Sequence, residues 1–226
     1  MALEKRLAEV RELTALACDI YTELNAPTWT LWNDEPCVAA LHMGPGTIDL
    51  IFRGTSNPED IVSDLEADLI GVEGLGECHR GFMKGLQEFL QRALVIMEGY
   101  PDRRLRIAGH SLGAARALLA GALLKQSGST ADLVVALAPP KPGCAALGKA
   151  LDGIEDIFSF VNGLDPVPHL PASLPSWPYS QPRSLISVRK HPYEGFPLLS
   201  RWHASVLYRE AVNALVPPTM PGSLNR

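Results

Sequence analysis

The stretch Arg104-Leu-Arg-Ile-Ala-Gly-His-Ser-Leu-Gly-Ala-Ala-Arg-Ala-Leu-Leu-Ala-Gly-Ala-Leu-Leu-Lys-Gln126 changes its character in the middle. Arg104–Ala108 reads as a short strand. From Ser111 the Ala/Leu-rich run reads as a helix that ends at about Gln126 and is closed by Ser127-Gly128. A strand that turns directly into a helix is half of a β-α-β unit, so the neighbouring elements decide the class. Asp132–Ala138 is a near-continuous apolar run, as expected of a strand covered on both faces. Asp156–Val161 is a second strand of this type. Upstream, Val38–Met43 and Thr47–Phe52 look like strands joined by Gly44-Pro45-Gly46. Helices are expected over Arg80 to Glu98 and over Ala204 to Leu215. A possible strand, Ser184–Val188, lies inside a proline-rich stretch running from Asp165 to Pro197. At the N-terminus Leu3, Leu7, Val10, Leu13 and Ala17 keep helical spacing, which predicts an amphipathic first helix. Strands alternating with helices imply an α/β fold with a mainly parallel central sheet flanked by helices. No repeat or biased linker divides the 226 residues, so one domain over 1–226 is expected.

Composition removes several classes of function. Hydrophobic residues make up 46% of the chain and charged residues 20%, enough apolar material for a core and too much for a disordered chain. The net charge of −5 argues against a nucleic-acid partner. No apolar run reaches the roughly 18 residues of a membrane span. The charged N-terminus has no signal-peptide h-region, so a cytoplasmic location is expected, or secretion if a signal preceded Met1. The four cysteines (Cys18, Cys37, Cys78 and Cys144) are scattered and form no metal-ligand spacing, so no metal is expected. The acidity itself is local. Seven Asp and Glu and no Lys or Arg fall between Ser56 and Cys78, leaving +2 for the rest.

The strand-helix junction carries Gly109-His110-Ser111-Leu112-Gly113, a G-x-S-x-G pattern. A serine on so tight a turn is held in a strained backbone, and glycines two before and two after it remove the clashes. The bland alternative is an ordinary N-cap serine on a glycine-rich turn. A serine nucleophile needs a base oriented by a carboxylate. Asp165 directly follows the strand Asp156–Val161, at the same sheet edge as Ser111. Of the later histidines, His169 shares the proline-stiffened loop of Asp165, and His191 sits in a loop of surface character. His203 opens the last helix, where a late loop can reach back, and is the preferred base. His79 and His110 are expected to hold turns through hydrogen bonds.

Several motifs in one order resemble the class 3 lipase family of α/β-hydrolases. They are Phe52-Arg-Gly-Thr55, His79-Arg-Gly-Phe82, Gly109-His-Ser-Leu-Gly113, Ala138-Pro139-Pro140, Asn162-Gly-Leu-Asp165-Pro-Val-Pro-His-Leu-Pro171, and His203 followed by Tyr208. The resemblance implies a serine hydrolase of carboxylic esters, with Ser111, Asp165 and His203 as triad, no cofactor, and two oxyanion donors: the N–H of Leu112, and Thr55 through its N–H with or without its hydroxyl. Its substrates would be acylglycerols or shorter acyl esters. The alternatives are a phospholipase A or acyltransferase using the same triad, or a catalytically inactive binding module. The resemblance also implies a lid over the active site at about residues 57–76. There Asn57 would cap a helix, Pro58 would enter its first turn, and Ile61, Leu65 and Leu69 would form one apolar stripe. With no tryptophan and much acid, such a lid predicts at most weak, transient contact with a lipid interface.

Overall fold

A computed structural model describes residues 2–22, 28–34, 36–55, 68–190 and 200–216. In chain order the elements are α1 (Ala2–Asp19), β1 (Trp29–Asp34), β2 (Cys37–Gly44), β3 (Thr47–Phe52), β4 (Leu69–Val72), β5 (Gly76–His79), α2 (Arg80–Met83) and α3 (Leu86–Glu98). Then follow β6 (Arg104–His110), α4 (Leu112–Gln126), β7 (Leu133–Leu137), α5 (Ala146–Ala150), β8 (Asp156–Asn162), β9 (Leu185–Val188), α6 (Ser200–His203) and α7 (Ser205–Asn213). A seven-stranded sheet has the order β1-β2-β3-β6-β7-β8-β9. From β3 to β9 every neighbouring pair is parallel, while β1 and β2 add an antiparallel edge.

Strand character explains the layers. All five residues of β7 are buried, because helices cover both faces of the sheet. On β3, Ile48, Leu50 and Phe52 pack toward α3 and α4, whereas Ile51 faces the cluster formed by α1 and α7. The expected helical stripe of α1 is realised: Leu7, Val10, Leu13 and Ala17 are buried in that second cluster. Helix α4 is buried nearly all round, since it lies between the sheet and other elements and needs no polar face.

The differences from expectation have local causes. The helix foreseen over 80–98 breaks at Gly85, whose φ of 70° is left-handed and whose Cα backs onto Cys37. Leu69 does not continue a lid stripe, because it begins β4, which pairs with β5 in register Leu69↔His79. Of the lid segment, residues 57–67 lie outside the described residues. His203 does not open the last helix. It ends α6, and Ala204, with extended backbone at φ −58° and ψ 130°, separates it from α7.

Candidate active site

The register of the sheet brings three chain segments to one edge. Phe52 at the end of β3 stands beside Gly109 near the end of β6, and Leu137 at the end of β7 stands beside His110. The next residue is Ser111, fully buried, with φ 62° and ψ −130°. A non-glycine residue there costs on the order of 1–3 kcal/mol, so its surroundings must hold it. They do so by direct bonds. The Ser111 N–H donates to the Leu137 carbonyl at 2.8 Å, and its carbonyl accepts from Ala114 and Ala115. Gly109 lies against the Gly113 carbonyl and Gly113 against the Phe52 carbonyl, which leaves no space for a Cβ at either position. The Ser111 side chain makes no capping bond to α4, so the capping alternative does not hold.

That side chain is committed elsewhere. Ser111 Oγ lies 2.9 Å from His203 Nε2, and His203 Nδ1 lies 2.8 Å from Asp165 Oδ2. A carboxylate accepts, so Nδ1 carries the proton and Nε2 accepts from the serine hydroxyl. Asp165, His203 and Ser111 are all buried. Burial pushes the Asp165 carboxyl up. The His203 imidazole, the Tyr208 hydroxyl and the Val167 N–H together outweigh it and hold the carboxyl below its ordinary value. Tyr208 donates to Asp165 Oδ2 at 2.6 Å while accepting from the Asn162 N–H at 2.9 Å. The second oxygen, Oδ1, accepts from Val167 N–H at 3.0 Å. Asn162 also fastens the segment leading to the histidine: its Nδ2 donates to the carbonyls of Lys190 and Trp202, and its Oδ1 accepts from the Lys190 N–H.

The other expected positions fall as follows. Thr55 follows Gly54, whose Cα packs against the His110 carbonyl and the Ser111 Cβ, so the start of the Thr55 peptide lies beside Ser111. Leu112 is the first residue of α4, at the positive end of the helix. His169 ends a 3₁₀ turn and is exposed, and His191 lies outside the described residues. His79 caps α2, its Nδ1 accepting from Gly81 N–H at 3.0 Å. Tyr21 escaped the sequence reading altogether. Its hydroxyl accepts from Gly54 N–H at 3.0 Å and meets His110 Nδ1 at 3.1 Å. Among the described residues, no group of three or more His, Cys, Asp and Glu could hold a metal ion, and no helix is long and apolar enough to cross a membrane.

The model of one family, lipase (class 3), matches residues 50–174, more than half of the chain. The chain belongs to the class 3 lipase family. In this chain Thr55, Ser111, Leu112 and Asp165 all lie inside the matched stretch, and His203 joins them only through the fold. Among its relatives, the secreted mono- and diacylglycerol lipase A of Penicillium cyclopium is 31% identical over 141 residues, covering 54% of this chain and 46% of that one. The lipase of Rhizomucor miehei is 29% identical over 168 residues, covering 68% of this chain and 46% of that one. The chain thus spans less than half the length of these curated relatives. A crystal structure of a mutant form of the Penicillium cyclopium enzyme superposes with a TM-score of 0.67 at 23% identity, covering 87% of this chain and 84% of that one. The Rhizomucor miehei lipase propeptide complex superposes with a TM-score of 0.66 at 21% identity, covering 81% and 68%. This member of the family therefore has the α/β-hydrolase fold.

Proposed function

We propose that this chain is a serine hydrolase of carboxylic esters, with Ser111 as nucleophile, His203 as base, Asp165 as the orienting carboxylate, and the N–H groups of Thr55 and Leu112 as oxyanion donors. The observation that carries the reading is the unbroken chain from Ser111 Oγ through His203 to Asp165, with links of 2.9 and 2.8 Å, on a strained elbow. As Oγ attacks the ester carbonyl, His203 Nε2 takes its proton. Asp165, ionised and buried, stabilises the imidazolium that forms. The proton then passes to the departing alcohol, leaving an acyl-serine. Water, deprotonated by the same Nε2, releases the acid. Each oxyanion donor contributes on the order of 10²–10³ in rate. No cofactor enters this scheme.

The name of the Penicillium relative, a mono- and diacylglycerol lipase, supports acylglycerols as substrates, and shorter acyl esters would use the same chemistry. The acidity between Ser56 and Cys78 supports, at most, weak contact with an anionic lipid surface. The reading takes residues 1–226 as one hydrolase domain. For the compartment, none of the four cysteines forms a disulfide, a state that a reducing cytoplasm preserves, although the Penicillium relative is named as secreted. Recovery of the protein from the medium would overturn the cytoplasmic assignment.

The decisive test compares wild type and Ser111→Ala on p-nitrophenyl butyrate, a triglyceride and phosphatidylcholine. Wild type is expected to cleave the first two, and the variant to retain no ester hydrolysis above background. Hydrolysis of phosphatidylcholine alone would move the reading to a phospholipase with the same triad. An inert wild type would make the chain a binding module.

A further inference from the structure

Three hydrogen bonds run head to tail behind Ser111 and none is part of the triad. Gly54 N–H donates to the Tyr21 hydroxyl at 3.0 Å. The same hydroxyl lies 3.1 Å from His110 Nδ1. His110 Nε2 lies 2.8 Å from the carbonyl oxygen of His203, which can only accept, so Nε2 carries the proton. In a neutral ring that leaves Nδ1 as the acceptor, so the Tyr21 hydroxyl donates to it. Burial, and then the His203 imidazole, push the His110 ring down to about 3, so this tautomer is uncharged throughout the working range. The packing agrees. The His110 ring lies 4.8 Å from that of His203 and 5.9 Å, edge-on, from that of Tyr21. A Cβ on Gly54 would stand 2.5 Å from the Tyr21 hydroxyl, so the approach of backbone to phenol depends on glycine at this position.

The two ends of the series matter. One is the Gly54 N–H, one peptide ahead of the Thr55 N–H, and the other is the backbone of the histidine that takes the Ser111 proton. Helix α1, which delivers Tyr21 just beyond its last residue Asp19, otherwise contributes no group to the site. We propose that Tyr21 is a positioning residue for ester hydrolysis, its single hydroxyl fixing Gly54, and with it the direction of the adjoining peptide that carries the Thr55 N–H, and, through His110, the backbone of His203. This inference rests on the roles given above to Thr55, Ser111 and His203.

Tyr21→Phe keeps the ring and deletes the hydroxyl. With p-nitrophenyl butyrate, kcat is expected to fall about 10- to 100-fold while KM stays within about two-fold, because the peptide is misplaced for the transition state and not for the ester. Inhibition by a trifluoromethyl ketone, which forms an oxyanion on Ser111, should weaken in step with kcat, while inhibition by butyrate stays unchanged. His110→Gln in the same background should add little to the loss. In the wild type, imidazole ¹⁵N shifts should report His110 as the Nε2–H form from pH 5 to pH 9. An Nδ1–H signal would overturn the series even if Tyr21→Phe failed to fold. So would a Tyr21→Phe enzyme with kcat within two-fold of wild type, or one in which ketone and butyrate inhibition weaken equally. If wild type is active and Ser111→Ala is dead, such results sink the role of Tyr21 alone. If wild type is inert, the triad reading itself has failed.

Discussion

Strand β6 carries two buried polar clusters, one near each end, and they are built to opposite purposes. Near its start Arg106 is 2% exposed and grips Asp49, itself 0% exposed, with two bonds: Nε to Oδ1 at 2.6 Å and Nη2 to Oδ2 at 2.8 Å. Its third nitrogen reaches Glu12 of α1 at 2.7 Å, and Asp49 also meets His42 Nδ1 at 3.0 Å. Burial lowers the proton affinity of the guanidinium, but Asp49 and Glu12 more than reverse that and raise it. The cluster is closed, because each charge faces an opposite charge. At the far end the series from Asp165 through His203 stops at a serine hydroxyl whose strained backbone gives it no capping duty. Burial and charge are common to both clusters. What separates them is that one chain of bonds ends in a reactive atom.

The comparison can be broken at either end. The largest effect is expected for His203→Ala, which should lower kcat about 10⁴-fold or more in an ester assay of the folded protein. A retained rate would remove the distinction between the two clusters. At the other end, Arg106→Met should cost about 3–5 kcal/mol in urea unfolding, because buried Asp49 loses its guanidinium and keeps only the bond to His42 Nδ1. The activity of the folded fraction should stay within about two-fold of wild type. Arg106→Met combined with Asp49→Leu should recover most of that stability, since replacing a whole buried pair by apolar groups is often neutral. A loss of kcat in the folded double variant would show that the ion cluster supports the site.

The smallest effect concerns pH. The folded-state pKa of Asp165 is depressed, so its contribution to stability is fully present above the ordinary carboxylate pKa of 3.8 and is lost as pH falls through the folded value. Asp165→Asn lacks that contribution. Urea midpoints measured from about pH 6 down to about pH 3 should therefore fall less steeply for the variant than for wild type. Parallel curves would mean that the carboxyl is not held low by its partners.

Much of the fold was legible because its strands and helices declare themselves locally. The apolar run Leu133–Leu137, the Ala/Leu helix after Ser111 and the stripe of α1 each follow from hydrophobic period alone. Strand β1 was missed because Trp29–Asp34 is an edge strand, its pairing with β2 on one side being invisible in its own sequence. The hairpin β4–β5 was missed for the same reason, since two strands of four residues with interspersed glycine hold no periodic signal. His203 was placed at the head of a long helix because its immediate sequence does not reveal the break at Ala204.

By itself the sequence determined the candidate nucleophile turn, the carboxylate after a strand, and the family, because glycine spacing and residue order are local and are written in the chain. Only the tertiary structure decided which histidine meets Ser111, that Tyr208 braces Asp165 from 43 residues away, and that Asn162 ties down Lys190 and Trp202, 28 and 40 residues further on. It alone revealed Tyr21, 33 residues before Gly54 and 89 before His110. A hydrogen bond depends on separation in space and on which partner carries the proton. Neither leaves a period or a composition for a sequence to show.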